Sequence, residues 1–279
     1  MDLNHPMSLQ QMLSQQKADG LAEAALWVAS EVDHSVDVSQ YLRRLQHYAE
    51  RVSDRLPSNV RLGDALFQLN NFLFNDRGFA SINSSRCSSD NLFLDRVIDN
   101  RHGSPLSIAL IYLTVGRLLG LPLKAVSFSG RILLRYSDSE GDVVIDPDEG
   151  GMPLQKDDLE RLFSLSYALP RQELQLRDRF LATTDDKTLL IRMLFQLKQS
   201  YLQRSDAQSA LWVLEKILLL DPRLPSAYRE RGYLYECLDC NVAAANDYHR
   251  YLELRPNAGD AGLIRLRLQK LLDSSVVFH

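Results

Sequence analysis

Two proline boundaries, Asp221-Pro222 and Arg255-Pro256, stand 34 residues apart, and the residues counted back from each fall into matching order. The first unit offers Leu194, Leu197, Tyr201, Ala210, Leu214, Ile217 and Pro222; the second offers Tyr228, Gly232, Tyr235, Ala244, Tyr248, Tyr251 and Pro256. A period of this length holds a pair of antiparallel helices, a unit that cannot bury its own apolar face and must stack on the next. Ala210, Gly232 and Ala244 are the small residues at which two helices approach closely, and the bulky ones fill the seam. Ala261 to Leu272 supplies a capping helix. Two units fall short of the three or so that a free-standing array needs. They are expected to lean on the rest of the chain, with a short linker around Ala182 to Asp186.

At 279 residues the chain has room for about two domains of roughly 100–200 residues each. Apolar residues at 45% and charged ones at 24% place it among soluble globular proteins and away from disordered or fibrous classes. The net charge is −4, with no basic tail, which argues against general nucleic-acid binding through phosphate neutralisation. The three cysteines, Cys87, Cys237 and Cys240, are too few and too unevenly placed for a secreted disulfide framework. They indicate a reducing compartment. The start, MDLNHPMSLQQ, lacks the positive and apolar regions of a signal peptide, so a cytoplasmic location is expected. Pro105 to Leu121 approaches membrane-spanning length, but Arg117 and two glycines interrupt it and it falls short of the ~20 residues a bilayer requires. A buried core helix is expected instead.

Ahead of that run, apolar residues recur at helical spacing: Leu21, Ala25, Val28 and Ala29; Tyr41, Leu42, Leu45, Tyr48 and Val52; Leu66, Leu69, Phe72 and Leu73. Asp37 or Ser39 caps the second run, and Pro57 with Ser58 separates it from the third. Ser81 to Asp90 reads as a loop and Leu92 to Ile98 as a short helix. Ser104 caps the central helix with Pro105 in its first turn, and Gly120 ends it. Leu123 to Phe128, Ile132 to Tyr136 and Val143 to Ile145 are β-rich, with turn composition at Ser137 to Asp142. Beyond Gly151 no further strand is expected, and Leu154 to Arg179 reads as mixed helix and connection.

The stretch from Arg101 reads RHGSPLSIALIYLTVGRLLGLPLKAVSFSGRILLRY and then, past a turn, VVIDPDEGG. In its order of helix, Gly-Leu-Pro turn and two strands it resembles the core of transglutaminase-like, papain-type domains. That resemblance implies a catalytic Cys near the start of the helix, a His opening the next strand and an Asp closing the one after. Here the first place is held by Pro105 to Ser107 and the second by Arg131, which follows Gly130 as the His does in related sequences. Asp146 alone matches. A guanidinium stays protonated and cannot act as a base, and an Asp that orients a missing His has nothing to orient. The likeness extends upstream through LNNFLFNDRGFASINSSRCSSDNLFLDRVIDN and downstream into the repeats, which resemble tetratricopeptide repeats. This is the layout of the bacterial SirB family, carried by R-x-G-x-P-L-S, Leu-Leu-Arg and Ile-Asp-Pro over nearly the whole chain. The resemblance implies an α+β fold: a helix-rich degenerate transglutaminase-like domain over residues 1–182, then an α-helical repeat region over 187–279. It also implies a loose association with regulation of gene expression.

The triad positions Ser107, Arg131 and Asp146 carry two readings. Ser107 acts as a nucleophile only with a base beside it, and His102, the nearby imidazole, precedes the helix instead of sitting on the sheet. The plainer reading makes Ser107 a first-turn residue that satisfies local backbone groups, and Arg131 with Asp146 a structural ion pair. Asp146, Asp148 and Glu149 do not have the spacing of a calcium loop and read as a turn. Cys237 and Cys240 form a lone C-x-x-C without a second pair and read as small packing residues rather than a metal site. Neither metal nor cofactor is expected. In tetratricopeptide arrays the first helix of each unit lines the concave face, and the matching positions here are Arg192, Phe195, Gln199, Gln203, Arg229, Tyr233 and Glu236. Such a groove suits a peptide with acidic and apolar groups. The reading is therefore a non-catalytic, regulatory protein-binding module, with no nucleic-acid or membrane partner and its oligomeric state open. A residual hydrolase or acyl-transferase using Ser107, and a purely structural subunit, are the alternatives.

Overall fold

The computed structural model describes residues 8–82, 88–128, 131–138, 141–167 and 182–276. The N-terminal residues 1–7, Cys87, Gly130 and the stretch 168–181, all considered above, lie outside the described residues. The chain forms two compact units, Met1–Met193 and Leu194–His279. The division falls inside the helix Asp186–Gln203, beyond the linker read near Ala182 to Asp186.

In the first unit a short helix α1 (Leu9–Ser14) comes first, and α2 (Gly20–Val32), α3 (Val38–Ser53) and α4 (Leu62–Asn70) follow the apolar periodicity. Asp37 is the cap of α3 and accepts from the Gln40 amide at 3.0 Å. The helix then buries Leu45, Tyr48, Ala49 and Val52 as one stripe, as its i, i+3, i+4, i+7 spacing requires. After α4 the chain continues as a π-helical turn, Asn71–Asp76. Helix α5 (Leu94–Asn100) ends on Arg101 in the left-handed region at φ 62°. Helix α6 (Pro105–Leu118) begins at Ser104, whose hydroxyl accepts from the Ser107 amide at 3.0 Å, with Pro105 where an N–H would be unused. Gly120 at φ +77° turns the chain away at its far end. Every residue from Leu106 to Gly116 is buried, which is why this helix is apolar all round. Among the described residues no helix is long and apolar enough to cross a membrane.

Strands β3 (Lys124–Phe128), β4 (Arg131–Asp138) and β5 (Gly141–Asp146) form the centre of an antiparallel sheet, and Val126, Phe128, Leu133 and Val144 pack against Leu159 of helix α7 (Lys156–Tyr167). Four further strands depart from the sequence reading. β1 (Ala80–Ser81), at the start of the expected loop, pairs in parallel with β2 (His102–Gly103). Past Gly151, where strands were expected to cease, β6 (Met152–Pro153) joins β5 and β7 (Thr183–Thr184) joins β3, making five strands in the order β6-β5-β4-β3-β7. Each is two residues long, too short for an alternating pattern, and each is held by backbone hydrogen bonds that any side chain permits. Pro153 is tolerated because it lies on an edge.

Helix α8 (Asp186–Gln203) carries the chain into the second unit, where α9 (Ala207–Leu220), α10 (Pro225–Cys237), α11 (Asn241–Leu254) and α12 (Ala261–Val276) realise the two repeats and the cap. Ala210 and Ala244 are fully buried, and a Cβ on Gly232 would come within 2.9 Å of the Tyr248 ring. Arg231 clamps Asp247 through two bonds of 2.7 Å, joining α10 to α11. The cap packs on α11 through Ile264 and Leu271 against Ala244, Tyr248 and Tyr251. Cys237 and Cys240 are exposed, contrary to the packing reading, because Cys237 ends α10 and Cys240 caps α11, on either side of the turn through Asp239 at φ 56° and not on the seam.

In an open helix, Gly→Ala stabilises by about 1 kcal/mol. At position 232 the clash with a ring that cannot swing aside costs about 1–3 kcal/mol and is expected to win. Gly232→Ala should therefore lower the thermal midpoint, while Gly262→Ala, whose Cβ would have nothing within 4 Å, should not. Equal shifts for the two would refute the close-approach account.

Candidate functional site

The start of α6 carries Ser107, the residue read from the resemblance as standing at the first triad position. Ser107 is fully buried, and its hydroxyl lies 2.9 Å from that of Ser104 and donates towards the carbonyls of Asn91 at 3.2 Å and Leu92 at 3.3 Å. The hydroxyl is thus engaged with the 3₁₀ turn Ser89–Asn91 and the residue after it. His102 is exposed, and its Nδ1 lies 2.9 Å from the Asn100 carbonyl, so the structure does not bring it to Ser107.

Arg131 and Asp146 do meet. Arg131 Nη1 donates to Asp146 Oδ2 at 2.8 Å, and the Asp148 amide donates to Asp146 Oδ1 at 3.0 Å. The Asp146 side chain is 1% exposed and that of Arg131 is 40% exposed. Burial raises the Asp146 carboxyl above its ordinary pKa, against the opposing pull of the Asp148 amide and Arg131. Among the described residues, this pair and Ser107 share no hydrogen bond.

The turn after Asp146 is fixed from below. Tyr112 on α6 donates to Asn70 Oδ1 at 2.7 Å, and Asn70 Nδ2 donates to the Gly151 carbonyl at 2.8 Å. Gly151 sits at φ +72°, and a Cβ there would lie 2.2 Å from Asn70 Oδ1. Its amide donates to the Asp146 carbonyl at 2.9 Å, so the glycine ties the carboxylate's own backbone to the core. Asp148 accepts from the Ser81 hydroxyl and Glu149 is exposed, so the three acids do not converge on one contact.

In the second unit a groove of ≈ 480 Å³ runs between α8, α10 and α12. Of the groove residues read from sequence, Gln199, Arg229 and Tyr233 line it. Glu236 stands beside it, accepting from Tyr248 at 2.6 Å and from the lining residue Arg267 at 2.8 Å. Phe195 lies under the Lys198 ammonium, 5.1 Å from ring centre to nitrogen, and Gln203 is exposed outside the lining. Arg192 falls in the first unit, where it donates to the Ser127 hydroxyl at 2.8 Å and towards the Arg131 carbonyl at 3.5 Å. The lining also contains Lys198, Asp260, Leu263 and Arg267, absent from the sequence reading. The repeat period held the signal for two of them: a further 34-residue step from Arg229 and Tyr233 lands on Leu263 and Arg267.

Each groove cation meets a carboxylate. Lys198 pairs with Glu230, Arg229 with Asp260 at 2.7 Å, and Arg267 with Glu236 at 2.8 Å. The Tyr251 hydroxyl and Arg229 hold the Asp260 carboxyl below its ordinary range. Burial acts to raise Glu236, but the bonds from Tyr248 and Arg267 outweigh it and leave that carboxyl low as well. Tyr233 and Leu263 are 51% and 55% exposed.

Comparison with known sequences divides the chain as the geometry does. The transglutaminase-like superfamily matches residues 39–195 and the tetratricopeptide repeat matches residues 197–269. A UPF0162 protein of Xylella fastidiosa (strain Temecula1) is 29% identical over 93% of this chain and 92% of its own length. The UPF0162 protein YchA of Escherichia coli (strain K12) is 30% identical over 88% of this chain and 89% of its own. Protein SirB1 of Salmonella typhimurium is 28% identical over 85% of this chain and 86% of its own.

Removing Arg131 strands a buried carboxylate. Arg131→Met should cost about 1–3 kcal/mol at neutral pH, less than the ~3–5 kcal/mol of a fully buried pair, because the guanidinium is part-exposed. Burial makes the folded chain protonate Asp146 at higher pH than the unfolded chain does, and a neutral carboxyl needs no counter-ion. The deficit should therefore shrink as pH falls through that raised pKa. Urea unfolding of both proteins across acid pH checks this, and a pH-independent difference would show that the pair contributes no charge stabilisation.

Proposed function

The chain belongs to the transglutaminase-like superfamily, in the group that contains YchA and SirB1, and we propose that it is a non-catalytic protein-recognition module contacting its partner through the repeat groove. The observation that carries this reading is the open groove on the first helices of the repeats, where two large apolar side chains are more than half exposed. Large exposed apolar surface set among polar groups is characteristic of interaction sites. Tetratricopeptide repeats generally mediate protein-protein contacts, which agrees with it. The first unit then acts as a scaffold: Ser107 is buried and bonded to backbone carbonyls, and an arginine stands against Asp146 where a base would be required.

Two measurements test the two halves of the proposal. Hydrolysis of p-nitrophenyl acetate is expected to run at the same rate with the wild-type chain and with Ser107→Ala; a rate lost in a folded Ser107→Ala protein would favour the hydrolase reading. A random peptide library displayed on phage, selected on the full-length chain, should yield peptides whose affinity falls at least about tenfold on Tyr233→Ala or Leu263→Asp. Peptides indifferent to both changes, or no enrichment, would remove the groove from consideration.

A further inference from the structure

We propose that the repeat groove reads bulky apolar side chains on a partner segment of near-zero net charge, and that its three cations are clamps between helices rather than ligand contacts. This rests on the groove being the contact surface and adds the chemistry of what it holds.

Charge complementarity decides the class of partner. Lys198 on α8 is paired with Glu230 on α10, Arg229 on α10 with Asp260 at the start of the cap, and Arg267 on the cap with Glu236 on α10. Three positive and three negative groups cancel within the site. Asp260 and Glu236 are each held by a second donor, the hydroxyls of Tyr251 and Tyr248. An acidic ligand would have to share or take over a cation already neutralised by a carboxylate, exchanging one attraction for another or gaining a like charge beside it. The exchange leaves little net attraction. A basic ligand meets the same balance from the other side.

Apart from Gln199, the lining without such a partner is made of large, mainly apolar side chains. Tyr233 and Leu263 face the groove more than half exposed, beside Leu202, Leu234 and Ile264. Arg267 lies over the Tyr233 ring at 5.4 Å and so fixes its plane while leaving the ring available. The volume of ≈ 480 Å³ lies within the roughly 300–1,000 Å³ of clefts that enclose a small ligand, which suits a few inserted side chains and not a folded domain. Burial of aliphatic or aromatic groups is the gain on offer, and salt does not screen it as it screens an ion pair.

The test takes the groove-dependent phage peptides, synthesised with a fluorescein label, and titrates them into the full-length protein by anisotropy. Replacing their apolar anchors by Ala is expected to weaken binding about tenfold or more. Replacing Asp and Glu by Asn and Gln, or raising ionic strength from ~0.05 to ~0.5 M, is expected to change it by less than about twofold. Peptides that are acid-rich and lose affinity about tenfold with salt would overturn this inference while leaving the groove as the contact surface. Peptides that ignore Leu263→Asp, or none at all, would remove the groove itself and this inference with it.

Discussion

The hydroxyl of Tyr112 donates to Asn70, and the amide of Asn70 donates in turn to the carbonyl of Gly151. This short buried chain of hydrogen bonds joins the central helix, the end of α4 and the turn after β5. Without it, two polar side chains would be stranded in the core, at a cost of about 1–3 kcal/mol for each unsatisfied group. It also explains why Gly151 has no side chain: the position has both a left-handed backbone and a neighbour within bonding distance of where a Cβ would stand. Because the Gly151 amide reaches back to the Asp146 carbonyl, the same chain sets where the buried carboxylate sits.

The second unit obeys a different constraint. Its helices are joined by close approach at Ala210, Gly232 and Ala244, and by ion pairs that link α10 with α11 and with the start and body of α12. Arg231 with Asp247 is the most enclosed of the arginine pairs, at 20% and 7% side-chain exposure. A pair so enclosed is costly to break on one side only. It therefore ties α10 to α11 beside the close contact of Gly232 with the Tyr248 ring. The same kind of bridge at the groove leaves the charges there already matched, and apolar side chains as the surface with most to gain from contact.

Much of this was legible in the residues. The 34-residue period located four of the repeat helices, and continuing it by one step points to Leu263 and Arg267 on the cap. The caps at Asp37 and Ser104 and the helix stop at Gly120 follow from local chemistry, since each depends on one side chain or one backbone conformation. The two-residue strands were not legible: backbone pairing at a sheet edge leaves no mark on side-chain alternation. The exposure of Cys237 and Cys240 was likewise hidden, because the turn that separates them from the seam passes through a left-handed Asp239 that nothing in the sequence demands.

What the sequence determined by itself was the order of the longer helices and strands of the core and the helical repeats that follow them, because periodicity, capping and motif spacing are properties of neighbours along the chain. Only the tertiary structure decided which distant groups meet. It set Arg131 against Asp146 and turned the Ser107 hydroxyl to the carbonyls of Asn91 and Leu92. It carried Arg192 to Ser127 instead of the groove, and it gave every groove cation a carboxylate from another element. Long, charged side chains can reach several partners at similar cost, and the choice among them is made by burial and by the placement of helices, neither of which is encoded locally.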